Sequence, residues 1–119
     1  MVLYHNTVSR LSKKRKYGMG GKPADTTIGV VKKKLVSVKG GKTKLKVFAS
    51  DYVNAVVDGK CLRCQILDVK DNPANKDYIR RDIITKGAVV SVKSLDGRDL
   101  DVRVTSVPGR DGVLNGVVV

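Results

Sequence analysis

Apolar and polar residues alternate over several short stretches of the chain, and a two-residue period is typical of half-buried strands. The clearest stretch is Thr43 to Ala49, where Leu45, Val47 and Ala49 alternate with Lys44, Lys46 and Phe48. The other strand candidates are Tyr52 to Val57, Lys60 to Val69, Leu100 to Val104, Val113 to Val119, and Ile28 to Val38, which Lys32 to Lys34 interrupt. Ile83 to Val92 is a candidate strand pair with Lys86-Gly87 near its middle. The pattern predicts about six short strands.

Turn signals separate these strands at intervals typical of small barrels and sandwiches. Asp58-Gly59 and Asp96-Gly97 predict tight turns, because both dipeptides tolerate positive φ. Pro108-Gly109 predicts a type II turn, and the polar stretch from Asp71 to Asp82 leaves room for one short helical turn. We predict an all-β fold, a single small barrel, since closure removes the exposed edges of a valine-rich sheet.

Residues 1–26 show neither a strand period nor a helix period. Their apolar residues are scattered, and the glycine-rich stretch Gly18 to Pro23 cannot form regular structure. We therefore predict two parts for these 119 residues. Residues 1–26 form an extended basic arm, and residues 27–119 form the β-barrel domain.

The charge is concentrated in residues 1–50, which hold thirteen Lys and Arg against one acid, Asp25, a net charge of +12. Residues 51–119 hold eleven Lys and Arg against ten Asp, a net charge of +1. An excess confined to one part of a chain indicates a polyanionic partner. No apolar run has the length of a membrane span or a signal peptide, and two cysteines cannot build a secreted disulfide framework. We expect a cytoplasmic protein with no membrane partner.

The basic residues define a candidate nucleic-acid-binding set. Its members in residues 1–50 are Arg10, Lys13, Lys14, Arg15, Lys16, Lys22, Lys32, Lys33, Lys34, Lys39, Lys42, Lys44 and Lys46. Lysine and arginine neutralise phosphates and release counterions, and Tyr17 beside the densest run can stack on a base. RNA is favoured over DNA, because no helix-turn-helix, zipper or finger pattern is present and an irregular basic arm suits structured RNA.

Cys61 and Cys64 have a spacing that can hold zinc, but a structural zinc site needs four ligands and His5 is the only histidine. On a strand, Cys64 points inward with Leu62 and Ile66 while Cys61 points outward, so we interpret them as ordinary strand cysteines. A redox pair would need a helix N-terminus. With one His and no Glu, the chain offers no catalytic constellation, and we predict no enzyme activity, cofactor or small-molecule substrate.

Four stretches of the chain have a distinctive sequence: Lys13 to Pro23, Val38 to Lys44, Asn72 to Ala88 and Val104 to Asn115. Together they resemble the S8e family of archaeal and eukaryotic small-subunit ribosomal proteins, in the family's order and at a chain length similar to its archaeal members. The resemblance implies a β-barrel ribosomal protein that packs on small-subunit ribosomal RNA beside neighbouring ribosomal proteins. It also implies that the arm threads between RNA helices.

Carried onto matching positions, the resemblance implies phosphate contacts by Lys13 to Lys16, Lys39, Lys42 and Lys44. It implies a second contact patch of Asn75, Arg80, Arg81 and Lys86. Local pairing of the two arginines with Asp77 and Asp82 is the alternative. We favour the hypothesis of a structural constituent of the small subunit. The alternative functions are a ribosome-assembly factor and a free-standing basic RNA-binding protein.

Overall fold

The computed structural model describes residues 12–119, which form eight strands and two short helices. The strands are β1 (Thr27–Ile28), β2 (Lys32–Ser37), β3 (Thr43–Ser50), β4 (Tyr52–Val57), β5 (Lys60–Asp71), β6 (Val89–Lys93), β7 (Asp99–Val104) and β8 (Asn115–Val118). The helices are α1 (Lys76–Arg80) and α2 (Pro108–Asp111), and 3-10 turns occupy Lys16–Gly18 and Lys39–Gly41. Neither helix in this part of the chain is long and apolar enough to cross a membrane.

A closed barrel of five strands, in the order β4-β5-β6-β7-β8, forms the main body. Its neighbours are antiparallel except at the closure, where β4 and β8 run parallel and Ala55 lies opposite Gly116. Inward side chains of these strands fill the interior, and Val53, Val90 and Val102 are fully buried. The all-β barrel is confirmed.

The remaining three strands form a separate small sheet in the order β1-β3-β2. The prediction of one barrel places the lysine-rich residues 27–50 in the barrel wall. The structure instead places them in this separate sheet, beside the barrel. Val47 and Ala49 of β3 are buried, as their alternation predicted. Only Val36 of β2 is partly buried, because this strand has no neighbour beyond β3 among residues 12–119.

Leu45 of β3 packs against α2 and joins the small sheet to the barrel. A Cβ built on Gly112, which follows α2, would lie 2.9 Å from the Cβ of Leu45. Gly112 also has a φ of 74°, a left-handed conformation that glycine adopts without a steric cost. This contact orients one face of β3 toward the body and leaves the opposite face outward.

The two Asp-Gly turns are as predicted. Asp58 and Gly59 have φ values of 50° and 79° and join β4 to β5, with Val57 opposite Lys60. Gly97, with a φ of 84°, lies in the turn between β6 and β7. Helix α1 lies in the polar stretch where one helical turn was expected.

Three local predictions were wrong. Pro108 begins helix α2 and does not form a type II turn, because proline fits the first turn of a helix, where its missing N–H costs nothing. The strand candidate from Ile28 to Val38 is divided into β1 and β2 before Lys32, and not at the three lysines, which belong to β2. Of the strand pair expected from Ile83 to Val92, only the second strand is present: β6 begins at Val89, after Gly87 with a φ of 91°.

Candidate nucleic-acid interface

The outward face of the β2–β3 hairpin carries a cluster of lysines. Lys34 lies directly opposite Lys46, and Lys44 lies on the same face of β3, two residues before Lys46. Directly opposite side chains in an antiparallel pair have Cβ atoms about 4.5–5.5 Å apart, and like charges in that position destabilise the pair. We call Lys34, Lys44 and Lys46 the lysine cluster.

The other hairpin lysines surround this cluster. Lys32 and Lys33 are exposed at the start of β2, where the register shifts. Lys39 and Lys42 flank the Gly40-Gly41 turn, whose φ values of 83° and 71° are readily adopted by glycine. A hydrogen bond of 2.8 Å from the Val38 N–H to the Lys42 carbonyl closes this turn. The hairpin thus presents seven lysines along its strands and tip.

The seven hairpin lysines make no ion pair within residues 12–119. The four ion pairs of this part of the chain are Lys70–Asp101, Arg80–Asp77, Arg81–Asp77 and Arg98–Asp96. All four lie in residues 51–119, where acids and bases nearly balance. The positive charge of the hairpin is therefore open to an external anion.

The arm adds a second group of free cations. Lys13, Lys14, Arg15, Lys16 and Lys22 are all exposed and make no ion pair within residues 12–119. The Tyr17 ring lies in the 3-10 turn beside them and is 86% exposed, so both its faces are available for stacking. Arg10 lies outside the described residues.

The predicted second patch lies around α1, and its two arginines are paired locally. Arg80 contacts Asp77 at 2.6 Å and Arg81 contacts it at 3.9 Å, whereas Asp82 pairs with neither. Asn75 caps α1 by accepting a hydrogen bond of 2.9 Å from the Asp77 N–H. Lys86 is exposed and makes no ion pair in the described part of the chain. The arginines here carry less available charge than the hairpin lysines.

Asn72 positions this patch, although the sequence pattern did not single it out. It is 2% exposed, and its side chain donates to the Ile83 carbonyl and accepts from the Ala74 N–H and the Thr85 hydroxyl, each at 3.0 Å. These bonds hold both ends of the segment that contains α1. The Asn-Pro dipeptide at positions 72 and 73 is a turn signal that could have pointed to it.

The two cysteines have the predicted orientations, with Cys64 buried and Cys61 exposed. Burial, and to a lesser degree the neighbouring Cys61, raises the pKa of the Cys64 thiol above its ordinary value. Within residues 12–119, no group of three or more His, Cys and Asp residues is placed to hold a metal ion.

The fold and this surface define a small β-barrel protein with an unpaired polycationic hairpin and arm, the class of protein whose charge suits a polyanion. The chain matches the ribosomal protein S8e family over residues 6–119 and belongs to that family. The resemblance seen in its motifs is thus confirmed.

Archaeal relatives named small ribosomal subunit protein eS8 extend along most of the chain. The relative from Nanoarchaeum equitans is 41% identical over 112 residues, which cover 92% of this chain and 84% of the relative. The relative from Methanosarcina barkeri is 42% identical over 108 residues, which cover 89% of this chain and 82% of the relative. The relative from Halobacterium salinarum is 40% identical over 104 residues, which cover 87% of this chain and 80% of the relative.

Proposed function

We propose that this protein is a structural constituent of the small ribosomal subunit that binds ribosomal RNA by phosphate and shape contacts. Its family is one of ribosomal proteins, structural and not catalytic, and its relatives are named as small-subunit components. The arm and the lysine hairpin carry the RNA contacts, and neighbouring ribosomal proteins complete its surroundings. Its location is the ribosome in the cytoplasm.

The observation that carries this proposal is the cross-strand pair Lys34–Lys46. The two lysines lie directly opposite each other on one face, and neither is paired with a carboxylate within residues 12–119, so the free protein holds these like charges at an electrostatic cost. A phosphate bound by both side chains on this face removes that cost. RNA phosphates also release condensed counterions when lysines neutralise them, which favours binding further.

The exposed arm extends this contact to a second RNA segment. RNA segments brought close to each other repel, and a cationic chain between them lowers that repulsion. The arm suits this role because residues 12–23 are exposed, while Thr26 fixes the end of the arm to the body by donating a hydrogen bond to the Val47 carbonyl. The α1 patch of Asn75, Arg80, Arg81 and Lys86 supplies further contacts, the arginines through the N–H groups that Asp77 leaves free.

Salt titration of binding to small-subunit ribosomal RNA tests the hairpin. The double variant Lys34→Gln/Lys46→Gln removes two cations from the lysine cluster. We expect the slope of log K against log salt to decrease by about 0.7–0.9 for each phosphate that is no longer neutralised. The matched control, Lys60→Gln/Lys93→Gln, removes two exposed lysines of the charge-balanced part, and its slope stays that of the wild type.

Equal slopes for the two double variants would contradict a specific role for the hairpin. Sedimentation of cell extracts separates the structural role from the alternatives. A constant ratio of the protein to mature small subunits supports a structural constituent. Enrichment in precursor particles alone supports an assembly factor, and a protein that sediments free of subunits supports an independent RNA-binding protein.

A further inference from the structure

An open cleft of about 220 Å³ lies where the arm joins the body. Three separate parts of the chain form its walls: the arm from Pro23 to Thr26, the segment from Ile84 to Lys86 and the segment from Val107 to Gly109. Tyr78 of α1 closes a further side. The walls touch at Ala24, since a Cβ on Gly109 would lie 3.7 Å from the Ala24 Cβ. The cleft is thus continuous with the proposed RNA-binding arm.

The walls of this cleft combine flat apolar surfaces with a positive rim. The lining includes the exposed ring of Pro23, the half-buried aromatic ring of Tyr78 and the buried ring of Pro108. Lys86 lines the cleft, and Lys22 precedes Pro23 on the arm; both are exposed cations. An unpaired nucleotide needs the same combination, because its base stacks on rings while its phosphate pairs with a cation.

Asp25 is the unusual wall residue. It is the only acid in residues 1–50, which hold thirteen Lys and Arg residues. It makes no ion pair or side-chain hydrogen bond in the part of the chain that the structure describes, although it lines the cleft with Lys86. A carboxylate repels phosphates, so its place at an RNA surface calls for a partner that donates hydrogen bonds.

We propose that this cleft binds one unpaired guanine of the RNA, with Asp25 accepting hydrogen bonds from the base. The inference rests on the proposed RNA-binding function. Guanine presents two adjacent donors, the N1–H and the N2 amino group, and a carboxylate accepts both with its two oxygens. Adenine offers a single amino group on that edge. Tyr78 and the two prolines enclose the ring, and Lys86 neutralises an adjoining phosphate.

Short single-stranded RNAs test the proposal on the full chain. The probes are an oligoadenylate, the same oligomer with one central guanosine, and one with central inosine, which lacks the N2 amino group. We expect the guanosine oligomer to bind about fivefold more tightly than oligoadenylate, the low end of the discrimination of a bidentate base contact. Inosine falls between the two.

The variant Asp25→Asn should abolish this preference. Asn keeps the fold, because the φ of 44° at this position lies in the left-handed region that Asn also adopts. The matched control Asp58→Asn removes the same charge in the β4–β5 turn, outside the cleft, and keeps the guanosine preference. Circular dichroism verifies the fold of both variants.

The outcomes separate the cleft from the proposed function. Equal binding of all three oligomers by the wild type, with normal salt dependence, overturns the guanine site and leaves RNA binding intact. A preference that survives in Asp25→Asn also overturns it, and the cleft then belongs to another partner, such as an apolar side chain of a neighbouring protein. Failure of every oligomer and of ribosomal RNA to bind overturns both proposals.

Discussion

The hydroxyl of Thr26 donates a hydrogen bond of 2.6 Å to the carbonyl oxygen of Val47. The carbonyl of Thr26 in turn accepts a bond of 2.7 Å from the Ile84 N–H. Thr26 is 2% exposed, whereas every residue from 12 to 23 is exposed. One residue therefore joins the arm, the small sheet and the segment that follows α1, and it gives the cations of the arm a fixed starting point.

Replacement of Thr26 by valine should destabilise the protein. The change keeps the size of the side chain but leaves the Val47 carbonyl without this donor, a loss of about 1–3 kcal/mol in the free energy of unfolding. Urea denaturation measures it. In the control Thr105→Val, the hydrogen bond removed is exposed and 3.3 Å long, and a change within about 0.5 kcal/mol is expected. Equal effects would contradict the role given to Thr26.

Truncation separates the arm from the body. Deletion of residues 1–22 removes six Lys and Arg but no buried residue of the described part, so we expect unchanged stability, weaker RNA binding and a shallower salt dependence. Deletion of residues 1–26 also removes Thr26, and its cost should exceed the loss found for Thr26→Val, because the Ile84 N–H loses its carbonyl acceptor as well. If this longer deletion unfolds the barrel, the domain boundary at residue 27 must be moved toward the N-terminus.

Gly112→Ala tests the contact that orients the hairpin. The methyl group would meet Leu45 at 2.9 Å, and the left-handed backbone adds about 1–2 kcal/mol, so a total loss of about 2–4 kcal/mol is expected by thermal or urea unfolding. Gly41→Ala is the control. Its φ of 71° is also left-handed, so alanine has the same backbone cost there, but a Cβ at this position would meet no other atom within 4 Å. A second change, Leu45→Ala, removes the contacts with Leu45 Cδ2 and Cγ at 3.0 and 3.2 Å but keeps the Cβ, so it should lessen the difference between the two variants in part. Equal losses for Gly112→Ala and Gly41→Ala would show that Leu45 is not in contact.

Lys34→Glu should stabilise the free protein while weakening its RNA binding. A Glu opposite Lys46 replaces a like-charge pair with an attractive one, a gain of about 0.2–1 kcal/mol at low salt. Binding to ribosomal RNA should fall and its salt slope should decrease, because a cation becomes an anion. The control is Lys60→Glu, which makes the same change of charge at the start of β5, outside the lysine cluster. A variant that is more stable and binds equally well would refute the role of Lys34 in RNA binding.

Thiol labelling distinguishes the two cysteines. Because burial raises the pKa of the Cys64 thiol, less of it is thiolate near pH 8, and iodoacetamide should modify Cys61 rapidly and Cys64 slowly. Both should react rapidly in denaturant. Cys61→Ser should leave no rapidly reacting thiol in the native protein. Rapid labelling of Cys64, or one zinc per chain by metal analysis, would contradict the interpretation of ordinary strand cysteines.

The barrel strands were predictable because two-residue alternation records which face of each strand is buried. The division into a barrel and a separate sheet was not, because pairing is set by contacts far apart in the chain. Closure pairs Val56 of β4 with Val117 of β8, and no local pattern encodes that contact. Strand β2 has one half-buried residue and no buried one, so apolar and polar residues do not alternate along it. The sequence therefore could not predict where this strand begins and ends.

The candidate site also has features that the sequence predicts and features that it does not. The charge of the hairpin and arm is readable from composition alone, since it depends on counting residues. The pairing of Arg80 and Arg81 with Asp77 depends on the start of α1, and the alternative of local pairing had to stay open until that helix was located. The cleft at Asp25 is formed by separated segments, so only their packing brings its residues together.

Strand β2 is the outer strand of the three-stranded sheet, and within residues 12–119 nothing pairs with its second edge. An open edge invites strands of other chains, and lysine is one of the residues that prevent such pairing. Lys32, Lys33 and Lys34 therefore keep separate copies of the free protein from joining edge to edge. In the proposed complex, RNA phosphates neutralise these lysines and the RNA covers this edge, so the protection is needed only while the chain is unassembled.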